Sequence, residues 1–67
     1  MMRIKLNGKP HELDGPLSLL ELLKSMDVNP ELVAVELNLD IVKRADREGV
    51  VLKEGDEVEV IRMIGGG

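Results

Sequence analysis

An alternating apolar segment near the end of the chain runs directly into three glycines. Residues 57–64 have the period of two that is typical of a half-buried strand, and Gly65, Gly66 and Gly67 follow. The position and strength of this strand predict that it is central in a sheet, beside the first strand. Because glycine has the most backbone freedom, we expect residues 65–67 to form a flexible tail. Such a tail reaches at most roughly 10 Å and could present the α-carboxylate of Gly67 to another protein's active site.

The composition limits what the chain can bind and catalyse. A chain of 67 residues forms one small domain, in which a deep catalytic cleft is hard to build, and no catalytic residue pair is evident. The net charge of −4 argues against nucleic acid and is compatible with a basic patch on a protein partner. There is no cysteine, and His11 is the only histidine, so we expect no metal site.

The hydropathy of the chain predicts its location. No segment approaches the roughly 20 apolar residues of a membrane span, and the first residues lack the apolar core of a signal peptide. We therefore expect a soluble cytoplasmic protein without membrane contact.

The first half of the chain predicts a hairpin and one helix. Residues 2–6 alternate with Met2, Ile4 and Leu6 inward, Asn7-Gly8 favours a type I′ turn, and residues 10–13 form a weak edge strand. Ser18 and Glu21 have the spacing of a capping box. The helix that they open carries an apolar stripe that must lie on a sheet: Leu19, Leu20, Leu22, Leu23 and Met26.

The second half of the chain predicts further strands. Residues 32–37 form a third strand, 41–42 a short continuation after a turn, and 50–52 a brief strand. The charged run 43–48 is interpreted as a solvated turn or short helix. Together these elements predict an α+β roll, in which a mixed four- to five-stranded sheet is crossed by one helix, with residues 1–64 as the domain.

Two apolar side chains in the last strand have a second interpretation. If Val58 and Val60 face the core, parity places Ile61 and Met63 on the solvent face just before the glycines. Exposed apolar clusters often mark partner sites, so Ile61 and Met63, with the adjoining Ile64, are the predicted partner interface. The alternative is a β-bulge that returns Ile61 and Met63 to the core.

Several short motifs give the chain a family resemblance. They are the opening Ile-Lys-Leu-Asn-Gly hairpin, Ser18–Leu23 at the helix start, residues 33–38 (Val-Ala-Val-Glu-Leu-Asn), residues 53–59 (Lys-Glu-Gly-Asp-Glu-Val-Glu) and the terminal Gly-Gly. In this combination the chain resembles the ThiS sulfur carriers of thiamine biosynthesis, which are β-grasp, ubiquitin-like proteins. The resemblance covers essentially the whole chain.

The resemblance implies a chemistry and a set of partners. Gly67 would be adenylated by an E1-like, ThiF-like adenylyltransferase that uses ATP, and a sulfurtransferase relay would convert it to a thiocarboxylate. A ThiG-like thiazole synthase would then accept the sulfur. The chain would bind no cofactor of its own and would act as a co-substrate rather than an enzyme, with Gly65 and Gly66 as the slender tail.

Other functions stay open from the sequence. The small subunit of molybdopterin synthase shares this fold, tail and activation chemistry, although the short chain without aromatic residues favours the thiamine assignment. A β-grasp binding module without sulfur chemistry would need no free Gly-Gly end. A ubiquitin-like modifier would instead join its last glycine to a lysine of another protein.

Overall fold

The computed structural model describes residues 2–63, which form a mixed sheet packed against one α-helix. The strands are β1 (Met2–Leu6), β2 (Lys9–Leu13), β3 (Val33–Leu37), β4 (Asp40–Ile41) and β5 (Glu57–Arg62). The sheet order is β2-β1-β5-β3-β4, so β5 lies in the middle, parallel to β1 and antiparallel to β3. The predicted α+β roll and the central position of the last strand are confirmed.

The β1–β2 hairpin follows from its turn residues. Asn7 and Gly8 have φ values of 51° and 82°, which a type I′ turn requires at both central positions. The register pairs Leu6 with Lys9 and Met2 with Leu13. Since β2 is paired only with β1 in the described sheet, it is an edge strand, as its Pro10 predicted.

The helix α1 (Leu19–Ser25) begins at the predicted capping box. The Glu21 N–H donates to Ser18 Oγ at 3.0 Å, and the Ser18 N–H donates to Glu21 Oε1 at 3.0 Å. Two amides that the first turn would leave unpaired are thereby satisfied. Among residues 2–63, no helix has the length and apolar character needed to cross a membrane.

The core lies between α1 and the inner face of the sheet, and aliphatic side chains build it. Its buried members are Ile4, Leu13, Leu19, Leu22, Leu23, Val33, Val35, Leu52 and Val58. Met2 and Leu6, predicted to point inward with Ile4, pack against it as partly buried side chains. Three leucines of α1 are completely buried. A helix of seven residues is too short to be stable in isolation, so this packing supplies most of its stability.

The predicted start of the third strand was wrong by one residue. A short 3₁₀ helix, Pro30–Leu32, precedes β3, and Leu32 belongs to it. Asn29 caps this helix, since its Oδ1 accepts the Glu31 N–H at 2.9 Å, and the fixed φ of Pro30 suits the first helical position.

The predicted strand at residues 50–52 was also wrong. This segment makes only an isolated bridge, between Ser18 and Val51. Backbone hydrogen bonds join it to the segment before α1, from the Leu19 N–H to the Val50 carbonyl and from the Leu52 N–H to the Leu17 carbonyl. It therefore closes one side of the core, with Leu52 buried, without joining the sheet.

The charged run after β4 is a second 3₁₀ helix, Arg44–Gly49. The prediction that this run is solvated was wrong for one of its residues. Most of its side chains are exposed, but Arg47 is only 4% exposed. The Arg47 guanidinium is turned inward because it donates to two backbone carbonyls near the start of β3.

The capping box makes helix stability depend on pH. The Ser18 backbone N–H, and then the Ser18 hydroxyl, lower the pKa of Glu21 below its usual 4.5. A lowered folded-state pKa stabilises the fold above the unfolded-state pKa, and this contribution is lost as the pH falls through the folded-state value. The Tm of the wild type should therefore fall more steeply below about pH 4.5 than that of Glu21→Gln, whose amide does not titrate in this range. Parallel thermal unfolding curves at all pH values would contradict this.

Candidate functional site

The end of β5 extends beyond its neighbour β1. Strand β1 pairs with only Glu57 and Val58 of β5. Beyond them, the side-chain Oδ1 of Asn7 accepts the Val60 N–H at 2.8 Å. By contrast, β3 pairs with β5 from Val58 as far as Arg62, and the Met63 N–H donates to the Leu32 carbonyl at 2.9 Å. Within the described residues, positions 61–63 are therefore held by backbone pairing on one side only.

Three apolar side chains are exposed at this end of the sheet. Leu32, Ile61 and Met63, which we term the exit strip, are 54%, 48% and 53% exposed. The β3–β5 register runs without a break from Leu37 opposite Val58 to Val33 opposite Arg62, so the alternative β-bulge is not present there. The predicted exposure of Ile61 and Met63 is confirmed, while Leu32 was not predicted as part of the site.

A groove runs beside the exit strip, between the end of β5 and the segment that follows α1. Its volume is about 490 Å³, and it is lined by Asp27, Val28, Asn29, Leu32, Val33, Arg62 and Met63. Four of these residues have apolar side chains, and one carboxylate and one guanidinium supply charge. It is suited to contact with an apolar side chain of another protein.

Acidic side chains border the exit strip on the outer face of the sheet. Ala34 lies opposite Ile61 in the β3–β5 pair, and the next pair on the same face is Glu36 opposite Glu59. Like charges directly across two strands are destabilising, since neither carboxylate gains a partner from the other. A basic side chain on a partner protein would relieve this repulsion.

Behind the exit strip, Arg47 fixes the segment that leads into β3. Its Nη1 donates to the Pro30 carbonyl at 2.8 Å and its Nη2 to the Val33 carbonyl at 2.9 Å. Its Nε is buried and has no acceptor among residues 2–63. Burial, followed by the nearby charge of Arg44, lowers the pKa of Arg47 from its usual value. This role could not be predicted from the sequence, because Arg47 stands in a charged run without apolar periodicity.

Not every predicted site residue falls within the described part of the chain. Ile64, Gly65, Gly66 and Gly67 lie outside residues 2–63. His11 lies on β2 opposite Ile4 and is half-buried. Within residues 2–63, no three His, Cys, Asp or Glu side chains are grouped so that they could hold a metal ion.

The chain is similar to proteins of one family over nearly its whole length. The ThiS family model matches residues 4–67. A sulfur carrier protein ThiS from Thermus thermophilus is 39% identical over 62 residues, covering 92% of this chain and 95% of that protein. The crystal structure of the thiamine biosynthesis protein ThiS from Geobacter metallireducens superposes with a TM-score of 0.86 at 39% identity, covering 98% of this chain and 100% of that one.

A second kind of relative is much longer than this chain. A thiazole synthase from Magnetococcus marinus is 46% identical over 66 residues, which cover 98% of this chain. The chain spans only 20% of the length of that protein. The similarity to thiazole synthases is thus confined to a region about the size of this domain.

The two faces of β5 should respond differently to the same substitution. Val58→Asp places a charge in the core, where Val58 is 1% exposed, and should lower the free energy of unfolding by more than about 3 kcal/mol. Ile61→Asp lies on the outer face and should cost about 1 kcal/mol or less, mainly through the poor strand propensity of Asp. Urea denaturation measures both values. Comparable losses for the two variants would place Ile61 in the core.

Proposed function

The chain belongs to the ThiS family, and from this membership we propose that it is a sulfur carrier of thiamine biosynthesis that acts through the α-carboxylate of Gly67. The observation that carries the proposal is the family match, which extends through Gly67 on a domain whose central strand leads to the glycines. The similarity to ThiS proteins from two other organisms favours this function over the molybdopterin carrier and over a simple binding module.

The proposed chemistry begins with activation of a poor electrophile. A terminal carboxylate has a pKa of about 3.5 and is ionised at neutral pH. Its oxygen is therefore a poor leaving group when a nucleophile attacks the carbonyl carbon. In the proposed sequence, a carboxylate oxygen of Gly67 attacks the α-phosphorus of ATP on an E1-like adenylyltransferase, and pyrophosphate leaves. A sulfur nucleophile from a sulfurtransferase then attacks the acyl-adenylate, and AMP departs with the oxygen. The nucleophile is the terminal sulfur of a persulfide, so this attack gives an acyl disulfide. A second thiol then attacks the donor's sulfur in that S–S bond and forms a disulfide with the donor, and Gly67 is left with a thiocarboxylate.

In this proposal the chain is a co-substrate whose own residues present the reacting group. The partner enzymes supply the catalytic residues and use the ATP, so the proposal places the carrier with them in the cytoplasm. Without a Cβ, Gly66 and Gly67 allow an active-site channel to close around the backbone. Two residues of the exit strip, Ile61 and Met63, precede these glycines by a few positions in the sequence, and the strip offers apolar contact area to the enzyme that receives the tail.

We propose thiazole synthase as one partner that docks on the exit strip. Two thiazole synthases, from Magnetococcus marinus and Paramagnetospirillum magneticum, contain a region that is 46% and 33% identical to this chain. Joining a carrier and its acceptor in one chain would raise their effective concentration, which is useful when the two must meet repeatedly. The acidic pair Glu36 and Glu59 favours a docking surface with basic side chains around an apolar centre.

Intact-mass spectrometry tests the carrier function. The chain of residues 1–67 is incubated with an E1-like adenylyltransferase of thiamine biosynthesis, ATP and a sulfur source. The expected mass gain corresponds to the exchange of one oxygen for sulfur, and the matched control lacking Gly67 should gain nothing. An unchanged mass, with an enzyme proven active on another carrier, would favour a binding module, whereas a covalent adduct with another protein would favour a modifier.

Substitutions on the outer face test the docking surface. Ile61→Asp and Met63→Asp should each weaken binding to thiazole synthase by about tenfold or more, because each places a charge in an apolar contact. The control is Leu39→Asp, since Leu39 is 84% exposed in the turn between β3 and β4, at the opposite end of the β3–β5 pair from the exit strip. Titration calorimetry measures the affinities. Equal weakening by the control, or none by the first two variants, would contradict docking at the exit strip.

A further inference from the structure

Arg47 occupies a place that a longer β4 would otherwise fill. Successive carbonyls of a strand point to opposite sides, so those of Val33 and Val35 both face away from β5. The Val35 carbonyl accepts the Val42 N–H at 2.9 Å, just after β4 ends. The next carbonyl on that side, that of Val33, accepts from Arg47 Nη2 at 2.9 Å. The guanidinium thus continues the hydrogen bonding of the edge strand by means of a side chain.

The same guanidinium holds both sides of Leu32. Its two donors reach the carbonyls of Pro30 and Val33, which flank Leu32 in the chain. The carbonyl of Leu32 points the other way and accepts the Met63 N–H at 2.9 Å. Two hydrogen bonds therefore link Arg47 to Met63, the last described residue: one from Arg47 to the Val33 carbonyl, and one from the Met63 N–H to the neighbouring Leu32 carbonyl.

The bonding of Arg47 does not have the form expected if its role were stability alone. Its Nε has no acceptor within the described residues, and an unpaired buried donor is costly. Its other donors bond neutral carbonyls, so among residues 2–63 the buried charge has no ion-pair partner to offset its desolvation. A planar fork with donors at fixed angles is instead well suited to setting the relative position of two carbonyls.

We propose that Arg47 is a positioning residue for sulfur loading: it fixes the Pro30–Val33 segment, and through the Leu32 carbonyl it fixes where the chain leaves β5. This inference rests on the proposed function, because it concerns how the Gly67 carboxylate is placed in the adenylating enzyme. Arg47 is buried, so in this proposal it acts through the backbone and not by contact with a reacting group. Its loss should impair placement of the carboxylate and leave the docking surface intact.

Amide hydrogen exchange tests the structural half of the proposal without any partner enzyme. In Arg47→Met, the Met63 amide should exchange about tenfold faster than in the wild type. The Asn38 amide, which donates to the Glu57 carbonyl at the opposite end of the β3–β5 pair, should be unaffected. Arg44→Met is the matched control, because Arg44 lies in the same short helix but bonds an exposed carboxylate, Glu31, at 2.9 Å. An equal increase at both amides would indicate general destabilisation and overturn the proposal.

Steady-state adenylation kinetics test the functional half. With Arg47→Met as substrate for the adenylating enzyme, kcat should fall by roughly fivefold or more while KM stays within about twofold of the wild type. Arg47→Lys retains the positive charge but lacks the planar guanidinium with its two donors, so its kcat should lie between those of the wild type and Arg47→Met. If Arg47→Met does not fold, Arg47→Lys is tested in its place. An increase in KM alone, or a wild-type kcat despite faster Met63 exchange, would overturn the proposal. Failure of the proposed function itself would be recognised separately, because the wild-type chain would then not be adenylated.

Discussion

The pairing of β5 with β3 is the interaction on which the rest of the structure depends. It places Val58 in the core, puts Ile61 on the outer face and continues through the Leu32 carbonyl to Met63. Because β1 pairs with only the first part of β5, the last described residues extend beyond that pairing. One strand thereby stabilises the fold and holds Met63, the last described residue, in place.

Local patterns in the sequence predicted the main elements of this fold correctly. The Asn7-Gly8 turn, the capping box at Ser18 and the alternating pattern of the last strand each depend on residues close in sequence, and all three elements are present. The exposure of Ile61 could also be predicted, because the period of a strand determines which residues share a face. The predicted tail, residues 65–67, lies outside the described residues and stays a prediction.

The features that were missed depend on contacts between distant residues. Leu32 is exposed beside Met63 because a 3₁₀ helix delays the start of β3, and only the Asn29 cap and Pro30 pointed to that helix. The segment 50–52 has the composition of a strand but pairs with residues 17–19 instead of the sheet. The inward turn of Arg47 depends on two carbonyls 14 and 17 residues away, which no local pattern reveals.

In the proposed function, the domain is bound by enzymes and its terminal residue reacts. The most direct test of this account is a single-turnover transfer of labelled sulfur from the purified thiocarboxylate of the chain to the product of thiazole synthase. If the chain is the sulfur donor, label should enter the thiazole in an amount equal to the thiocarboxylate consumed. Label that remains on the chain while thiazole forms from another sulfur source would contradict it.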